Sequence, residues 1–356
     1  MKDIDLAGKV QTVLGPINPE DMGITLYHEH LLTSLAAWYE EPVEASEKGM
    51  AKQPVSTENL WWVRAHRPNN LDNTQLADEK TAINEAMQFK LNGGGTVAEV
   101  SSIGLARDPL GLKRISLATG LNIIMGSGYY IGASHPPELD MMTEDEIAEI
   151  IVRDITVGVG DTGVKAGIIG EIGCSRPLQE GEKKVLRASA IAQRKTGAPL
   201  MIHPAFDDDI TLDIVNIIKD AEADLNHTVI CHVNVYAFRP DTLRKIADAG
   251  CYLGFESFGN LGYPHLLQGR LLEHRCDLDY LDTIAGLIED DYLKRILIAH
   301  DICFKDFLTV YGGNGYAHIL RNTIPVMRLR GFTEEQIHAL MVDNPERYLQ
   351  FVQPEM

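Results

Sequence analysis

The segment Ile24-Thr25-Leu26-Tyr27-His28-Glu29-His30 is a short apolar, strand-forming run that ends in two histidines. Seven more runs of this kind follow along the chain, and helical patterns separate most of them. Near-continuous apolar strands that alternate with helices are typical of a parallel sheet buried on both faces. The eight predicted strands are residues 24–28, 96–101, 122–127, 166–172, 200–203, 228–232, 252–256 and 296–301.

Eight strand–helix units favour a closed barrel of the (β/α)8, or TIM, type over an open doubly wound sheet. The sequence also has no dinucleotide-binding fingerprint that would favour the open sheet. The connections after strands 1 and 7, residues 31–77 and 257–279, are too long for ordinary βα loops, and loops of this length are usually lids or binding loops. Because no repeat or linker interrupts the chain, we expect residues 1–356 to form one α/β barrel domain with these two long insertions.

The chain of 356 residues has a formal net charge of −19. Phosphate binding needs a basic surface, so this charge argues against nucleic acid and anionic membranes as partners. No run of about eighteen apolar residues is present, and the N-terminal segment lacks the apolar core of a signal peptide. The five cysteines, an odd number without a C-x-x-C pair, indicate reduced thiols. We therefore expect a cytoplasmic protein whose partner is a small-molecule substrate.

Potential metal ligands stand at the predicted carboxyl ends of five strands, where barrel enzymes build their active sites. Each histidine alone is more often a core residue than a ligand, so the prediction depends on the set. Four imidazoles and two carboxylates suit a site that holds two divalent cations about 3.5–4 Å apart and activates a shared water. The candidate ligands are His28, His30, Glu171, His203, His232 and Asp301.

These motifs resemble the phosphotriesterase family of the amidohydrolase superfamily, from about residue 10 to residue 351. The matching segments are residues 23–30, 166–173, 203, 232, 300–301, 311–316 and 344–345. The resemblance implies that His28, His30 and Asp301 hold the more buried cation. It also implies that His203 and His232 hold the more exposed one.

The fourth predicted strand indicates which branch of the family the chain resembles. Phosphotriesterase itself bridges its metals with a carbamylated lysine, whereas Glu171 takes that position here, as in the phosphotriesterase-related or phosphotriesterase homology proteins. Lys165 precedes Glu171 by six residues, which places it near the opposite end of the barrel. The proton-relay histidine of phosphotriesterase is missing from residues 254–259, and Asn234 stands where an acidic relay residue is expected. Efficient phosphotriester hydrolysis is therefore not expected.

The substrate class suggested by the Glu171 branch is a lactone or other carboxylic ester, and Gly128-Tyr129-Tyr130 resembles the tyrosine-bearing segment of related lactonases. A tyrosine that only packs under the lid is the alternative for Tyr130. Two cations would lower the pKa of a bridging water, and the resulting hydroxide would attack the substrate carbonyl. Asp301 would accept the proton and pass it to the leaving group. Arg239, after strand six, and Arg270, in the second insertion, are candidate substrate-binding residues, with a solvated surface charge as the alternative for each.

Three alternatives remain open from the sequence. The ligand types fit zinc, which we expect, but they also permit manganese or cobalt. The same metals could act on a phosphotriester or phosphoric ester. The third alternative is that the protein binds a small molecule without catalysing a reaction and only shares the fold. A homodimer is common among proteins that the chain resembles.

Overall fold

The computed structural model of the protein describes residues 6–235, 238–260, 265–267, 270–272 and 275–355. Eight strands pair in parallel, each with the next along the chain. They are β1 (Ile24–Glu29), β2 (Gly94–Glu99), β3 (Asn122–Ser127), β4 (Ile168–Gly173), β5 (Leu200–His203), β6 (Thr228–Ile230), β7 (Tyr252–Phe255) and β8 (Ile296–Ile298). β8 returns beside β1, where the Asp301 N–H donates to the His28 carbonyl at 3.3 Å. The prediction of a (β/α)8 barrel is confirmed, and the barrel is nearly closed.

Two of the strands that lead to candidate ligands end earlier than predicted. β6 stops at Ile230 and β8 at Ile298, two and three residues before the predicted ends. The ligand candidates beyond them, His232 and Asp301, have φ values of 57° and 55°. A left-handed backbone conformation at a residue other than glycine costs about 1–3 kcal/mol, and such residues cluster at functional sites. The chain therefore leaves the strand geometry where these two side chains turn over the barrel mouth.

Helices cover the outside of the barrel. The main ones are α1 (Glu79–Leu91), α2 (Pro109–Thr119), α3 (Glu144–Thr156), α4 (Glu180–Thr196), α5 (Asp208–Asp220), α6 (Pro240–Asp248) and α7 (Asp277–Glu289). Their ends follow ordinary capping rules: Thr143 and Glu146 form a capping box at the start of α3. α4 ends at Gly197, where φ is 70° and an added Cβ would lie 1.9 Å from the Val352 carbonyl oxygen. Glycine is thus required at that helix end.

The barrel interior is filled with apolar side chains, and the polar ligand candidates lie at its mouth. Along each strand, alternate residues point into the barrel and the residues between them point outward. Outward residues such as Ile123, Ile169 and Ile202 belong to the larger apolar cluster between strands and helices. The inner cluster takes about one residue from each strand, namely Tyr27, Ala98, Ile124, Ile168, Met201, Val229, Tyr252 and Leu297.

The two long connections carry short elements of their own. Residues 30–78 connect β1 to α1 and contain the paired two-residue strands Thr33–Ser34 and Gln75–Leu76. Residues 256–276 connect β7 to α7 and contain the hairpin His265–Leu267 with Arg270–Leu272, although part of the predicted insertion lies outside the described residues. The remaining strands and α-helices are Val10–Thr12, Gly15–Ile17, Lys48–Ala51, Leu60–Ala65, Ile324–Leu329, Glu334–His338 and Asn344–Leu349. Among the described helices, none has the length and apolar character needed to cross a membrane.

Candidate active site

The structure brings all six predicted metal ligands together at the carboxyl ends of the strands. We call His28, His30, Glu171, His203, His232 and Asp301 the ligand cluster. The Oδ1 atom of Asp301 lies 3.6 Å from His28 Nε2 and 3.3 Å from His30 Nε2. Five members of the cluster are almost fully buried, and the Asp301 side chain is 17% exposed. The cluster therefore faces solvent on the side of Asp301.

Glu171 lies at the centre of this cluster. One of its oxygens, Oε1, is 2.7 Å from His203 Nδ1 and 3.0 Å from His232 Nε2. The same oxygen is 3.6 Å from His28 Nε2, and the other oxygen is 3.7 Å from His30 Nε2. One carboxylate thus contacts both histidine pairs, which is the arrangement that a bridging ligand needs.

Neighbouring polar residues orient the two histidines of β1. His30 Nδ1 is 2.9 Å from Ser101 Oγ, which donates in turn to Glu99 Oε1 at 2.7 Å. His28 Nδ1 is 3.3 Å from Glu256 Oε1. A ring whose Nδ1–H is engaged in this way presents the lone pair of Nε2 to the cluster.

The residues fit divalent cations. His28 Nε2 is buried and has no hydrogen-bond partner among the described residues, although it faces two carboxylates. Candidate ligand atoms of His28, His30 and Asp301 lie within 4.8 Å of one another, and so do those of His28, Glu171 and His232. Mixed imidazole and carboxylate ligands suit zinc and related cations. The ligand cluster is therefore a possible metal site.

The pKa values of the cluster agree with a site built for positive charge. Burial lowers the pKa of His28 to about 4, which favours the neutral imidazole. Burial would also lower the pKa of His30, but the hydrogen bond to Asp301 and the charges of Asp301 and Glu171 raise it to about 9. Burial would raise the pKa of Glu171, yet the adjacent histidines lower it well below its ordinary value. Two ionised carboxylates in a buried cluster require compensating positive charge, and protonated His30 balances one of them.

Two buried carboxylates that the sequence analysis missed hold the ligand loops in place. Glu29 Oε1 accepts hydrogen bonds from the backbone N–H of His300 at 2.9 Å and from His300 Nδ1 at 2.7 Å. Glu29 Oε2 accepts from the Ile302 N–H at 2.9 Å, so this side chain fixes the residues on both sides of Asp301. The second missed carboxylate is Glu256, whose Oε2 accepts from the backbone N–H of His232 at 2.5 Å.

Asn234 has a structural role rather than a place in a proton relay. Its amide bonds the Glu256 backbone twice, donating to the carbonyl at 2.6 Å and accepting from the N–H at 3.0 Å. Glu256 itself bonds the Tyr27 hydroxyl. Burial, followed by the charge of Asp301, raises the pKa of Glu256 well above its ordinary value. A carboxylate that ends an apolar strand was the signal for Glu171, and it would have identified Glu256 in the same way.

A cavity of about 770 Å³, including its part open to solvent, adjoins the ligand cluster. Tyr130 lines this cavity, where its hydroxyl oxygen accepts from Trp38 Nε1 at 3.0 Å. Burial, with a further contribution from Glu171, raises the pKa of Tyr130 well above 10, so the hydroxyl stays neutral. The apolar wall of the cavity consists of Leu35, Trp38, Pro68, Phe206, Val235, Phe304 and Phe307.

Of the two arginines predicted to bind substrate, Arg239 is not brought into this cavity. The Arg239 side chain is 63% exposed, pairs with Asp208 and Asp209, and is absent from the cavity lining. The prediction for Arg239 is corrected accordingly, because two carboxylates on the outer surface hold its guanidinium. Arg270 begins a short strand, and its side chain lies outside the described residues. Arg67, which no sequence motif marks, lines the cavity instead.

Known proteins resemble this chain in both sequence and structure. The family model described as the phosphotriesterase family matches residues 8–349. The N-acetyltaurine hydrolase of Xenopus tropicalis is 40% identical over 349 residues, which is 97% of this chain and 99% of that protein. The crystal structure of a resiniferatoxin-binding protein from Rhodobacter sphaeroides has a TM-score of 0.93 at 36% identity and covers 97% of this chain and 96% of its own. The phosphotriesterase homology protein from Escherichia coli, complexed with phosphate, has a TM-score of 0.76 at 24% identity and covers 93% of this chain and 99% of its own. It therefore shares the fold.

Proposed function

The chain belongs to the phosphotriesterase family, and from that premise we propose that it is a metal-dependent hydrolase that cleaves a small N-acyl amide. N-acetyltaurine is the first substrate to test, because a relative that is 40% identical along almost the whole chain bears the name N-acetyltaurine hydrolase. The observation that carries the proposal is the ligand cluster around Glu171, which is complete and opens into a cavity.

The metal part of the proposal assigns a place to each member of the ligand cluster. His28, His30 and Asp301 would hold one divalent cation, while His203 and His232 would hold a second. Glu171 would bridge the two, and zinc is the expected metal, with manganese or cobalt as alternatives. When bound, such a pair of cations lowers the pKa of water toward neutrality and polarises a carbonyl group.

The protein side chains then direct the proton and the substrate. Burial would raise the pKa of Asp301, but His28 and His30 hold it below its ordinary value, so that Asp301 is an ionised base. Asp301 takes a proton from the attacking water and delivers it to the leaving nitrogen as the C–N bond breaks. Water is consumed, and N-acetyltaurine yields acetate and taurine. The neutral Tyr130 hydroxyl, which accepts from Trp38, keeps its own proton to donate to the substrate.

Two other activities remain candidates because specific observations favour them. Lactone or ester hydrolysis uses the same attack on a carbonyl carbon, and the placement of Tyr130 in the cavity supports it. Binding without turnover is favoured by the apolar cavity wall and by the 36% identical structure that is named for binding resiniferatoxin. Phosphotriester hydrolysis is disfavoured, because Asn234 is engaged with the backbone of Glu256.

We place this activity in the cytoplasm and expect a small-molecule partner. All five cysteines are free, and Cys174, Cys231 and Cys251 are buried, which supports a reducing compartment. The net charge of −19 disfavours nucleic acid as a partner. A homodimer is part of the same proposal, and sedimentation velocity of the full chain would test it.

The experiment that tests the function compares substrate classes on one metal-loaded preparation. Taurine release from N-acetyltaurine would be measured beside a lactone panel and a phosphotriester panel. We expect N-acetyltaurine to have the highest kcat/KM, and Asp301→Asn to abolish turnover in every panel. If kcat/KM for a lactone exceeded that for N-acetyltaurine by more than tenfold, the proposed amide substrate would be replaced by a lactone or other ester. Tight binding with no turnover of any compound would leave a binding protein.

A further inference from the structure

Arg67 is a buried cation in the wall of the cavity. It lies in the long connection between β1 and α1, and its side chain is only 2% exposed. Among the residues that line the cavity in the described part of the chain, it is the sole arginine or lysine. The other charged groups of that wall, Glu171 and Asp301, belong to the ligand cluster. The cavity therefore has a cationic group that is separate from its candidate metal ligands.

Two hydrogen bonds fix the orientation of this guanidinium. Arg67 Nε donates to Asp306 Oδ2 at 2.9 Å, and Nη1 donates to Asn260 Oδ1 at 2.5 Å. Asp306 is itself held by Asn73, which donates to Oδ1 at 3.0 Å and accepts from the Asp306 N–H at 2.9 Å. The guanidinium carbon also lies 4.3 Å from the centre of the Phe307 ring. Arg67 is thus preorganised by the loops that follow β7 and β8.

The third nitrogen of the guanidinium is not used by the described protein. Nη2 is buried and has no hydrogen-bond partner among the residues that the structure describes. A buried N–H group without an acceptor is unfavourable, and such groups in native proteins call for an explanation. A ligand oxygen that enters the cavity would provide the acceptor.

We propose that Arg67 binds the acid group of the substrate, a sulfonate or a carboxylate, and thereby selects anionic N-acyl amides. The inference rests on the proposed amide hydrolysis and adds the residue that recognises the far end of the substrate. A guanidinium forms directional, charge-assisted hydrogen bonds with planar or tetrahedral oxyanions, which a lysine ammonium cannot reproduce. The ligand cluster holds the scissile amide, and Arg67 holds the opposite end in the same cavity.

Three acetamides of similar size separate recognition of the acid group from hydrolysis. N-acetyltaurine carries a sulfonate, N-acetyl-β-alanine a carboxylate, and N-acetylethanolamine a neutral hydroxyl. Arg67→Lys retains a positive charge beside Asp306, and the double variant Arg67→Gln/Asp306→Asn leaves no buried carboxylate unpaired. Arg107→Lys is the matched control, because Arg107 forms a similar buried pair with Asp154 at 2.9 Å but does not line the cavity.

We expect both Arg67 variants to lower kcat/KM for the two anionic substrates by about 100-fold, mainly through KM. The neutral substrate should change by less than about threefold, and Arg107→Lys should leave the ratio of anionic to neutral substrates unchanged. If Arg67 had only a structural role, its variants would instead lower kcat/KM for all three substrates in parallel. That result would overturn the proposal. Variants with unchanged selectivity would overturn it as well.

Calorimetric titration keeps the inference separate from the proposed function. If the wild type hydrolyses none of the three acetamides, N-acetyltaurine and N-acetylethanolamine are titrated into wild type and Arg67→Lys. If wild type binds N-acetyltaurine but not N-acetylethanolamine, and Arg67→Lys binds neither, Arg67 is supported as the anion-binding residue although the amidase proposal fails. Equal binding to both proteins, or no preference for the anion, contradicts the role of Arg67.

Discussion

Glu29→Gln is expected to destabilise the protein and to impair its active site, because Glu29 fixes the backbone on both sides of Asp301. A carboxylate accepts all three hydrogen bonds from His300 and Ile302, whereas glutamine offers one oxygen and an NH2 group that cannot accept. Losing one hydrogen bond to a charged group costs about 1.5–3 kcal/mol, and the two others weaken by about 0.5–1 kcal/mol each. The free energy of unfolding should therefore fall by about 2.5–5 kcal/mol.

Thermal unfolding followed by circular dichroism measures this loss. With an unfolding entropy of about 0.7 kcal/mol/K for a protein of this length, Tm should fall by about 4–7 °C. Turnover should fall further than the stability alone explains, by about 10–100-fold, since outer residues that hold metal ligands have effects of this size. Both measurements are made on the same preparation at a temperature below the transition.

Glu85→Gln is the matched control for this experiment. Glu85 is also a buried carboxylate that accepts three hydrogen bonds from the loop after β8, from the Thr309 N–H and hydroxyl and from the Val310 N–H. We expect a similar fall in Tm but turnover within about twofold of wild type, because Glu85 contacts no member of the ligand cluster. Equal turnover in the two variants would refute the role assigned to Glu29.

Three further predictions follow from the site. Asp301→Asn should lower kcat by at least about 1000-fold; unchanged turnover would remove Asp301 from proton transfer. Burial raises the pKa of Glu99 from 4.5 to about 7, so the folded state binds a proton on Glu99 more tightly than the unfolded state does. The stabilisation from this protonation is present below about pH 4.5 and is lost as the pH rises to about 7. Between pH 5 and 8, chelated wild type should lose about 2–3 kcal/mol relative to Glu99→Gln in urea unfolding; parallel pH profiles would contradict this. Arg239→Ala should leave KM within about twofold, whereas a tenfold increase would restore Arg239 as a substrate contact.

The barrel and its ligand cluster were predictable because both follow from local patterns. A strand buried on both faces tolerates few ionisable residues, so those at its carboxyl end, such as Glu171 and His203, stand out. The family resemblance, the (β/α)8 fold and the hydrolase prediction are confirmed. The lactone or ester substrate, the number and identity of the metals and the homodimer stay predictions.

The cavity wall was not predictable, because loops acquire their positions from tertiary contacts. Arg67 lies about forty residues beyond the first ligands in a segment without periodicity, and its partners Asn260 and Asp306 are distant in sequence. Arg239 follows a strand end, as the ligands do. Its guanidinium nevertheless lies on the outer surface, because it pairs with Asp208 at the start of α5. Residues outside regular strands therefore need the fold before their roles can be assigned.

The metal content of the full chain tests the central claim most directly. Wild type and Glu171→Ala would be purified without chelator and measured by inductively coupled plasma mass spectrometry. We predict about two divalent ions per wild-type chain and a sharp fall in the variant, since Glu171 contacts both histidine pairs. A wild-type protein that contains no metal and cannot be reconstituted with zinc, manganese or cobalt would contradict the claim.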